Sequence, residues 1–540
     1  MTDFPILGKP AAARSRLVGP LSALTLVLLI LLLPNRLSEI TPSAFTRLPL
    51  EALLLGFLLT LPGIAGSALR ILATGLLGLG LILKLADLGV DQFFGRPFNP
   101  VLDGRFPRDG MQWLTGTIGQ LGSYLVVAAL ALCLIGLLRL INAALSSLQT
   151  ALAGNRGARV GLAATAAVWL VLNFSVPSIA ARPSIDWLTS HWQNARASLA
   201  DLKQFDAGVD NDPYANTPNP ASFQKLQGKD LMLVFVESYG RTVFDQPDYA
   251  RYVRPRLQQY AAELSAAGVS MRSSYLTSPT YGGISWLAHG TLLSGLWINS
   301  QSRYDRLVMS RRPTLNRLFQ RAGWRTLAVQ PAHTLPWPQG DYFGYDRIYA
   351  AQNLNYRGQP FNWITMPDQY TLSAIQRLER PVGPRQPLMA EMALISSHAP
   401  WTPLPRLVDW QDVGDGSIFN QAREGDTPEA VWQSTERIRG QYRKSIEYVL
   451  ETLVSFVKTY GDDKLVLLVV GDHQPASFVS HDSASHDVPV HLIARDPEVI
   501  KAIDGWQWTP GLIPDAQAPV WRMDELRDRL IRAYSASSAF

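Results

Sequence analysis

The sequence predicts a helical membrane domain followed by an α/β domain with a mostly parallel central sheet. Three observations lead to this prediction. Charged residues make up only 17% of the 540 residues, against roughly 25% in average soluble proteins. The long uncharged runs behind this deficit lie within residues 1–181. From Lys229 onward, short apolar runs alternate instead with amphipathic stretches, as strands alternate with helices.

The N-terminal apolar segments are long enough to span a membrane, because a helix crosses the hydrocarbon core with about 20 mostly apolar residues. We therefore predict a transmembrane domain of about five helices over residues 1–181. The predicted spans are Leu17–Leu33, Ala52–Leu69, Ile71–Val90, Ile118–Leu138 and Val160–Ala181. We expect the first to be retained rather than cleaved as a signal peptide, since four more apolar segments follow it.

The third predicted span contains two charged residues, Lys84 and Asp87, whose spacing places them on one face of a helix. Two interpretations are open. The pair can sit at the helix end with its charges reaching the membrane interface. Alternatively, it makes a polar contact to a neighbouring helix or to a lipid headgroup.

Residues 182–228 are predicted to link the membrane domain to a second domain over residues 229–540. Pro213, Pro218 and Pro220 interrupt any long helix in this stretch. The net charge of +5 includes no basic stripe with interleaved aromatic residues, so nucleic acid is not an expected partner. The single cysteine, Cys133, excludes a disulfide within the chain.

The second domain is predicted to have a largely parallel sheet with helices on both faces, because buried-strand runs are separated by helical stretches. The predicted strands are Leu231–Val236, Arg325–Gln330, Leu388–Ile395, Leu465–Val470 and Val490–Ala494. The predicted helices include Arg254–Ala267, Thr314–Ala322, Thr435–Tyr460 and Met523–Tyr534.

Polar clusters follow three of these strands. Glu237 follows the first, Ser396-Ser397-His398 follows the third, and Gly471-Asp472-His473 follows the fourth. Ligands of open α/β sheets gather at the carboxyl ends of the strands. The three clusters therefore predict an active site at one edge of the sheet.

Glu237, Asp472 and His473 are candidate ligands of one divalent metal ion. Carboxylate and imidazole donors without cysteine suit zinc or manganese. Taken alone, each of these three residues is as readily a helix cap or a surface charge. The prediction rests on their occurring together at strand ends. His486, a short distance along the chain, is a candidate for orienting the site from a second layer or for adding a ligand.

These motifs resemble those of membrane-anchored transferases in the alkaline phosphatase superfamily. The matching features are the strand with Glu237-Ser238, the Ser397-His398-x-Pro400 stretch and Gly471-Asp472-His473. Lipoteichoic acid synthases, phosphoethanolamine transferases and periplasmic-glucan phosphoglycerol transferases are the closest groups. The resemblance implies five transmembrane helices followed by an alkaline-phosphatase-like (sulfatase) domain. It also implies a metal-bound hydroxyl that attacks phosphorus or sulfur and forms a covalent intermediate.

Ser285 is the candidate nucleophile, with Thr280 in reserve. In sulfatases the nucleophile lies ten residues before the glycine of a Leu-Thr-Gly sequence, and counting back from Gly295 of Leu293-Ser294-Gly295 reaches Ser285. A glycine-rich loop entering a helix also places this residue at a helix N-terminus, where backbone N–H groups favour an anion. The alternative is that Ser285 only caps the helix.

The resemblance also implies substrate-side residues. His398 resembles the histidine that contacts the transferred group, and His333 resembles another active-site histidine. The Trp-Asn-Arg stretch that binds phosphoglycerol in lipoteichoic acid synthases corresponds here to Trp337-Pro338-Gln339, which lacks the arginine. The sulfatase Cys/Ser-x-Pro-Ser/Ala-Arg pattern is absent as well, so formylglycine maturation is not expected. His289 stands where the sulfatase arginine would be.

The expected function is metal-dependent transfer of a phospho-linked headgroup, of phosphoglycerol or phosphoethanolamine type, through a covalent serine intermediate. The donor would be a membrane phospholipid and the acceptor an envelope glycan or lipid. One alternative is a membrane-anchored phosphodiesterase or sulfuric ester hydrolase, and a second is a non-catalytic binding module. The expected location is the inner (plasma) membrane, multi-pass, with the catalytic domain in the periplasm.

Five crossings that begin in the cytoplasm place the C-terminus outside it. The basic N-terminus, with Lys9, Arg14 and Arg16, is expected inside because cytoplasmic segments carry an excess of Lys and Arg. A phosphatase reporter fused after Phe540 should therefore be active, and a cytoplasm-dependent fluorescent reporter at the same position should be dark. The opposite pattern would place the catalytic half in the cytoplasm and reject the topology.

Overall fold

The computed structural model describes residues 11–94, 96–104, 106–175, 179–215, 222–361, 364–381, 383–420, 423–424 and 426–536. Pro218, Pro220, Lys9 and Phe540, which entered the predictions above, lie outside these ranges. The chain forms two compact units. One consists of residues up to Gln92 and of Arg96–Ala200, and the other consists mainly of the residues from Asp201 onward.

The N-terminal unit is helical. Its helices are α1 (Ala11–Leu32), α2 (Leu50–Leu59), α3 (Gly63–Phe94), α4 (Pro100–Asp103), α5 (Phe106–Gly154) and α6 (Arg156–Ser175). Helix α5 is interrupted at Gly119, whose φ of 75° is not helical. Strands β1 (Leu48–Pro49) and β2 (Ala180–Ala181) pair in parallel. Helix α7 (Pro183–Asp210) covers much of the predicted linker, and Pro213 follows soon after its end.

Three helices in the described part of the chain are long and apolar enough to cross a membrane: Gly63–Gln92, Pro100–Ala153 and Arg156–Ser175. The apolar helices Gly19–Leu32 and Leu50–Leu59 are shorter. The predicted count of five spanning helices is therefore not confirmed, although apolar helices occur in each predicted region.

The boundary between the second and third predicted spans was wrong. The sequence predicted one helix over Ala52–Leu69, but α2 ends at Leu59 and α3 begins at Gly63 and continues to Phe94. Pro62 has no backbone N–H to extend α2, and Gly63 adopts a φ of 70°, which favours glycine. Because apolar residues lie on both sides of this break, the hydropathy of the sequence did not reveal it.

The charged pair in α3 makes polar contacts within the N-terminal unit, as the second interpretation proposed. Lys84 is buried, and its Nζ donates hydrogen bonds to the carbonyl oxygens of Leu31 at 2.7 Å and Leu33 at 3.0 Å. The ammonium group thus meets the unpaired carbonyls at the C-terminal end of α1. Asp87, also buried, accepts from Trp187 Nε1 at 2.6 Å and lies 3.1 Å from His191 Nε2.

The C-terminal unit is built on a nine-stranded sheet in the order β12-β4-β11-β10-β3-β7-β5-β6, with β13 beside β4. Its strands are β3 (Asp230–Val236), β4 (Ser270–Thr277), β5 (Arg325–Gln330), β6 (Arg347–Ala350), β7 (Leu388–Leu394), β10 (Leu465–Gly471), β11 (Asp487–Ala494), β12 (Thr509–Pro510) and β13 (Val520–Arg522). A separate pair consists of β8 (Leu404–Pro405) and β9 (Arg423–Glu424).

The sheet is mostly parallel, as predicted. Strands β10, β3, β7, β5 and β6 run in parallel, whereas β11 is antiparallel to both β10 and β4. All five predicted strands are present. The sequence argument missed β4, because its Ser270–Thr277 stretch mixes serines with apolar residues and gives no continuous apolar run.

Helices cover both faces of this sheet. They are α8 (Thr242–Asp245), α9 (Pro247–Ala266), α10 (Ser285–Ser294), α11 (Gln301–Val308), α12 (Leu315–Arg321), α13 (Gly340–Phe343), α14 (Asp368–Glu379), α15 (Pro428–Val431), α16 (Thr435–Tyr460), α17 (Pro497–Lys501) and α18 (Glu525–Tyr534). Alternate residues of β3 enter two different cores, with Met232 and Val234 in one and Leu233 and Phe235 in the other. Because both faces are buried, polar side chains concentrate at the strand ends.

Replacing Asp87 should destabilise the N-terminal unit. Asp87→Ala leaves the half-buried Trp187 Nε1–H and the Phe98 amide without their acceptor. We expect a loss of about 3 kcal/mol, the usual cost of breaking a buried charged contact on one side. Thermal unfolding of the full chain in detergent, followed by tryptophan fluorescence, measures it. The matched control is Asp186→Ala, whose side chain is 65% exposed. Equal melting temperatures for the two variants would contradict the structural role of Asp87.

Candidate active site

Glu237, Asp472 and His473 converge at the carboxyl ends of two adjacent parallel strands, β3 and β10. One ligand atom from each lies within 4.8 Å of the other two. His473 Nε2 is 3.4 Å from Glu237 Oε1 and 3.6 Å from Asp472 Oδ2. The structure thus brings together the three residues that the sequence singled out as metal ligands.

The two strand-end turns are fixed to each other through Asp472. Its Oδ1 accepts hydrogen bonds from the Ser238 amide at 2.8 Å and from the His473 amide at 2.7 Å. Ser238 has a φ of 57°, which turns the chain sharply after Glu237. A Cβ at Gly471 would lie 1.9 Å from the carbonyl oxygen of Tyr239, so only glycine fits where these turns meet.

The orientation of His473 suits a metal ligand. Its Nδ1 lies 2.8 Å from the carbonyl oxygen of Gln474. A carbonyl can only accept, so Nδ1 carries the proton and the Nε2 lone pair faces Glu237 and Ser285. Orienting the second imidazole nitrogen through a backbone carbonyl is typical of metal-binding histidines.

The two carboxylates lie side by side, with Asp472 buried and the Glu237 side chain 12% exposed. Burial and the charge of Glu237 raise the pKa of Asp472 well above its usual range. Burial opposes ionisation of Glu237 as well, but His473 and His398 lower the pKa of this carboxyl to about 2. Two such carboxylates repel each other unless a cation lies between them. The donor set, its closeness and its charge all fit one divalent ion.

Ser285 is the first residue of α10, directly after Ile284 in the left-handed conformation, φ 62°. Its hydroxyl donates to Glu237 Oε2 at 3.1 Å and lies 3.2 Å from His473 Nε2. Ser285 is therefore not the N-cap, a position that Ile284 occupies. Thr280 is buried, and its Oγ1 has no hydrogen-bond partner among the described residues.

His289, one turn further along α10, is held by a buried glutamate. Its Nδ1 is 2.6 Å from Glu391 Oε1, and its ring stacks on Phe235 at a centroid distance of 3.9 Å. Glu391 also accepts from Gln330 Nε2 at 3.4 Å and from the Tyr345 hydroxyl. The charge of His289 opposes the burial that raises the pKa of Asp472.

His333 and Trp337 form another wall near His289. Their rings meet edge to face at a centroid distance of 4.9 Å. Burial and the nearby His289 lower the pKa of His333. In the described part of the chain, His333 Nδ1 is buried without a hydrogen-bond partner, which is unusual for a buried ring nitrogen.

His398 is exposed and lies after β7, near enough to Glu237 to lower its pKa. The preceding Ser397 donates from Oγ to the Glu237 carbonyl oxygen at 2.5 Å. The turn is also held from behind, because the buried Asp368 accepts from the amides of Ile395 at 2.8 Å and Ser396 at 3.1 Å. Burial raises the pKa of Asp368 to about 7.

His486 does not belong to the group of potential metal ligands found among the described residues. Its ring packs against Tyr281 at 5.3 Å, and its carbonyl oxygen accepts from the Ser278 amide at 3.0 Å. Burial lowers its pKa. Since Ser278 Oγ in turn donates to the Asp472 carbonyl at 2.5 Å, His486 reaches the site through Ser278.

Glu391 and Asp368 were missed from the sequence. Glu391 did leave a signal, because it interrupts the otherwise apolar strand Leu388–Leu394, where a buried carboxylate requires partners. Asp368 left none, since an acid in the first turn of a helix is common without any further role.

The family model described as Sulfatase matches residues 229–507, more than half of the chain. A search of curated proteins finds no match.

Several solved structures are similar to part of this chain. The lipoteichoic acid synthase LtaP from Listeria monocytogenes is 15% identical, with a TM-score of 0.38, over 58% of this chain and 74% of that chain. The phosphoglycerol transferase GacH from Streptococcus pyogenes is 13% identical, with a TM-score of 0.37, over 62% and 80%. The C-terminal periplasmic domain of EptC from Escherichia coli is 13% identical, with a TM-score of 0.36, over 60% and 84%.

Removing one proposed ligand should remove the metal. We expect Asp472→Ala to weaken metal affinity by at least about tenfold, because a charged ligand and the anchor of both turns are lost together. Inductively coupled plasma mass spectrometry of the purified full chain measures the metal content. Asp245→Ala, an exposed acid on α8, is the control and should keep the wild-type content. Full occupancy in a Glu237→Ala/Asp472→Ala/His473→Ala variant would place the metal elsewhere.

Proposed function

This chain belongs to the sulfatase family, and from that premise we propose a specific reaction for it. The family places it in the alkaline phosphatase superfamily, as an enzyme acting on phosphate or sulfate esters. The proposed reaction is metal-dependent transfer of a phospho-linked headgroup, of phosphoglycerol or phosphoethanolamine type. The donor is a membrane phospholipid and the acceptor is an envelope glycan or lipid.

The observation that carries this proposal is the position of the Ser285 hydroxyl. It lies at the N-terminus of α10, 3.1 Å from Glu237 and 3.2 Å from His473. A serine hydroxyl needs activation near neutral pH. A divalent ion held by Glu237, Asp472 and His473, zinc or manganese by its donor set, would favour the ionised form of Ser285 and offset phosphoryl charge.

In the proposed sequence of steps, Ser285 Oγ loses its proton and forms a bond to the phosphorus of the donor headgroup, and the bond from phosphorus to the lipid oxygen breaks. The proton given up by Ser285 ends on this oxygen, and the lipid leaves as an alcohol. The headgroup then remains on Ser285 as a phosphodiester. An acceptor hydroxyl next attacks the same phosphorus, loses its proton and releases Ser285. Two displacements at one centre predict ping-pong kinetics.

Three histidines are proposed to bind the phosphoryl oxygens that Ser285 faces. His289 is fixed by Glu391, so its other ring nitrogen has a defined direction. His333 Nδ1 is buried without a partner among the described residues, and a bound headgroup would supply one. His398 is exposed at the site entrance. Donors placed in advance around developing charge are a main source of catalysis. Trp337 would pack against the headgroup beside His333.

The N-terminal helices support the choice of a lipid donor, because three of them can cross a membrane and would bring the enzyme to its substrate. We propose location in the inner membrane with the catalytic domain in the periplasm. In a hydrolase, water would replace the acceptor hydroxyl in the second displacement. Mass spectrometry of envelope glycans and lipids with and without the gene separates the two reactions, since only the transferase leaves a modified acceptor.

Ser285→Ala should lower turnover by about 10³-fold or more, in line with losses of catalytic serines in other enzymes. Thr280→Ala should cost less than about tenfold, because Thr280 Oγ1 has no hydrogen-bond partner among the described residues. Steady-state rates with a phospholipid bearing a labelled headgroup measure both effects.

A second measurement locates the covalent bond. Rapid quenching with labelled donor, followed by peptide mass mapping, should find the headgroup on the peptide that contains Ser285. Metal content should stay near the wild-type value in Ser285→Ala, because three ligands remain. An adduct on Thr280 would show that Thr280, and not Ser285, is the nucleophile. Turnover without any adduct would favour direct attack by water.

A further inference from the structure

A cleft of about 620 Å³ opens on the surface of the C-terminal unit, apart from the Ser285 group. Its lining includes Arg311, Arg312, Arg317 and Arg321 together with one acid, Asp341. This volume lies within the usual range of small-molecule sites. Four guanidinium groups around one cavity are a strong concentration of positive charge.

Backbone carbonyls, rather than carboxylates, hold most of these guanidinium groups in place. Arg317 donates to the carbonyl oxygens of Tyr342 at 2.8 Å and Asp341 at 2.6 Å. Arg321 donates to the carbonyl of Ala215 at 3.0 Å. A carbonyl oxygen fixes the direction of a guanidinium without neutralising it, so the positive charge of both side chains remains available to a ligand.

The remaining two arginines differ in burial. Arg312 is buried, donates from Nε to the Ser294 carbonyl at 2.8 Å and lies 3.8 Å from Asp212. Arg311 is exposed. Within the described ranges, Arg311, Arg317 and Arg321 form no ion pair with a carboxylate, whereas Arg312 does. Three arginines without an ion-pair partner in the described ranges therefore line the cleft, against one acid, Asp341.

The cleft lies next to the catalytic group along the chain. Pro338, Gln339 and Tyr342 line it, and they directly follow Trp337, whose ring contacts His333. The cleft and the ring contact of His333 therefore share one short stretch of chain, residues 337–342.

We propose that this cleft binds the phosphate group of a phosphate ester at a site separate from Ser285. Arginine is the side chain best suited to phosphate, because its planar fork makes paired hydrogen bonds to two oxygens. The phosphate can belong to a phospholipid headgroup or to a soluble phosphate compound. The site does not depend on which reaction Ser285 performs.

The test uses the full chain in a nonionic detergent and two probes, inorganic phosphate and monomeric dihexanoylphosphatidylglycerol. Isothermal titration calorimetry compares the wild type with Arg311→Gln/Arg321→Gln. We expect at least a tenfold loss of affinity for one probe or both. Loss for the lipid assigns a lipid headgroup, and loss for inorganic phosphate alone assigns a soluble ligand.

Two control variants test whether the loss of affinity is specific to the cleft. Arg256→Gln removes a half-exposed charge on α9 and should leave both affinities unchanged. Arg311→Lys keeps the charge but loses the paired hydrogen bonds, so its affinity should fall between those of the wild type and Arg311→Gln. Arg311→Gln removes no hydrogen bond found among the described residues. Affinities of the double variant within twofold of wild type for both probes would overturn the proposal. An equal loss in Arg256→Gln would overturn it too, by showing nonspecific attraction.

Discussion

The hydrogen bonds of Asp472 Oδ1 are the constraint on which the catalytic edge depends. One carboxylate oxygen holds the amide after Glu237 and the amide of His473, so the ends of β3 and β10 cannot move apart. Gly471 lets the two turns approach at a distance that any side chain would prevent. The other carboxylate oxygen of Asp472, Oδ2, faces His473. One aspartate thus both builds the site and belongs to it.

Neighbouring elements place the remaining groups around this edge. Strand β7 contributes twice, since Glu391 within it orients His289 and the turn after it carries His398. Asp368 at the start of α14 fixes that turn through two backbone amides. The parallel strands therefore set where the site residues lie. Buried side chains behind the site, such as Glu391 and Asp368, fix how those residues are oriented. This division explains why groups outside the immediate site matter to its geometry.

Much of this arrangement was predictable from the sequence, because parallel strands with both faces buried appear as continuous apolar runs. The five predicted strands are all present, and the metal-ligand group followed from polar residues at their ends. Contacts between distant segments were not predictable, such as Glu391 with His289. The break at Pro62 was not predictable either, because apolar residues lie on both sides of it. Strand β4 was not predictable because its serines interrupt the apolar run. The arginine cleft depends on folding that brings separate turns together.

The Glu391 network has a consequence for the evolution of the fold. Burying a carboxylate with a histidine and a tyrosine seldom adds net stability, and well-packed apolar replacements of such groups often stabilise a protein. Nothing in the packing of the sheet requires an acid at position 391. Where selection for catalysis is relaxed, drift should therefore convert positions 289, 345 and 391 to apolar residues together. Polar residues at these three positions in a related chain then indicate that its ancestors kept the reaction, and apolar residues indicate that they lost it.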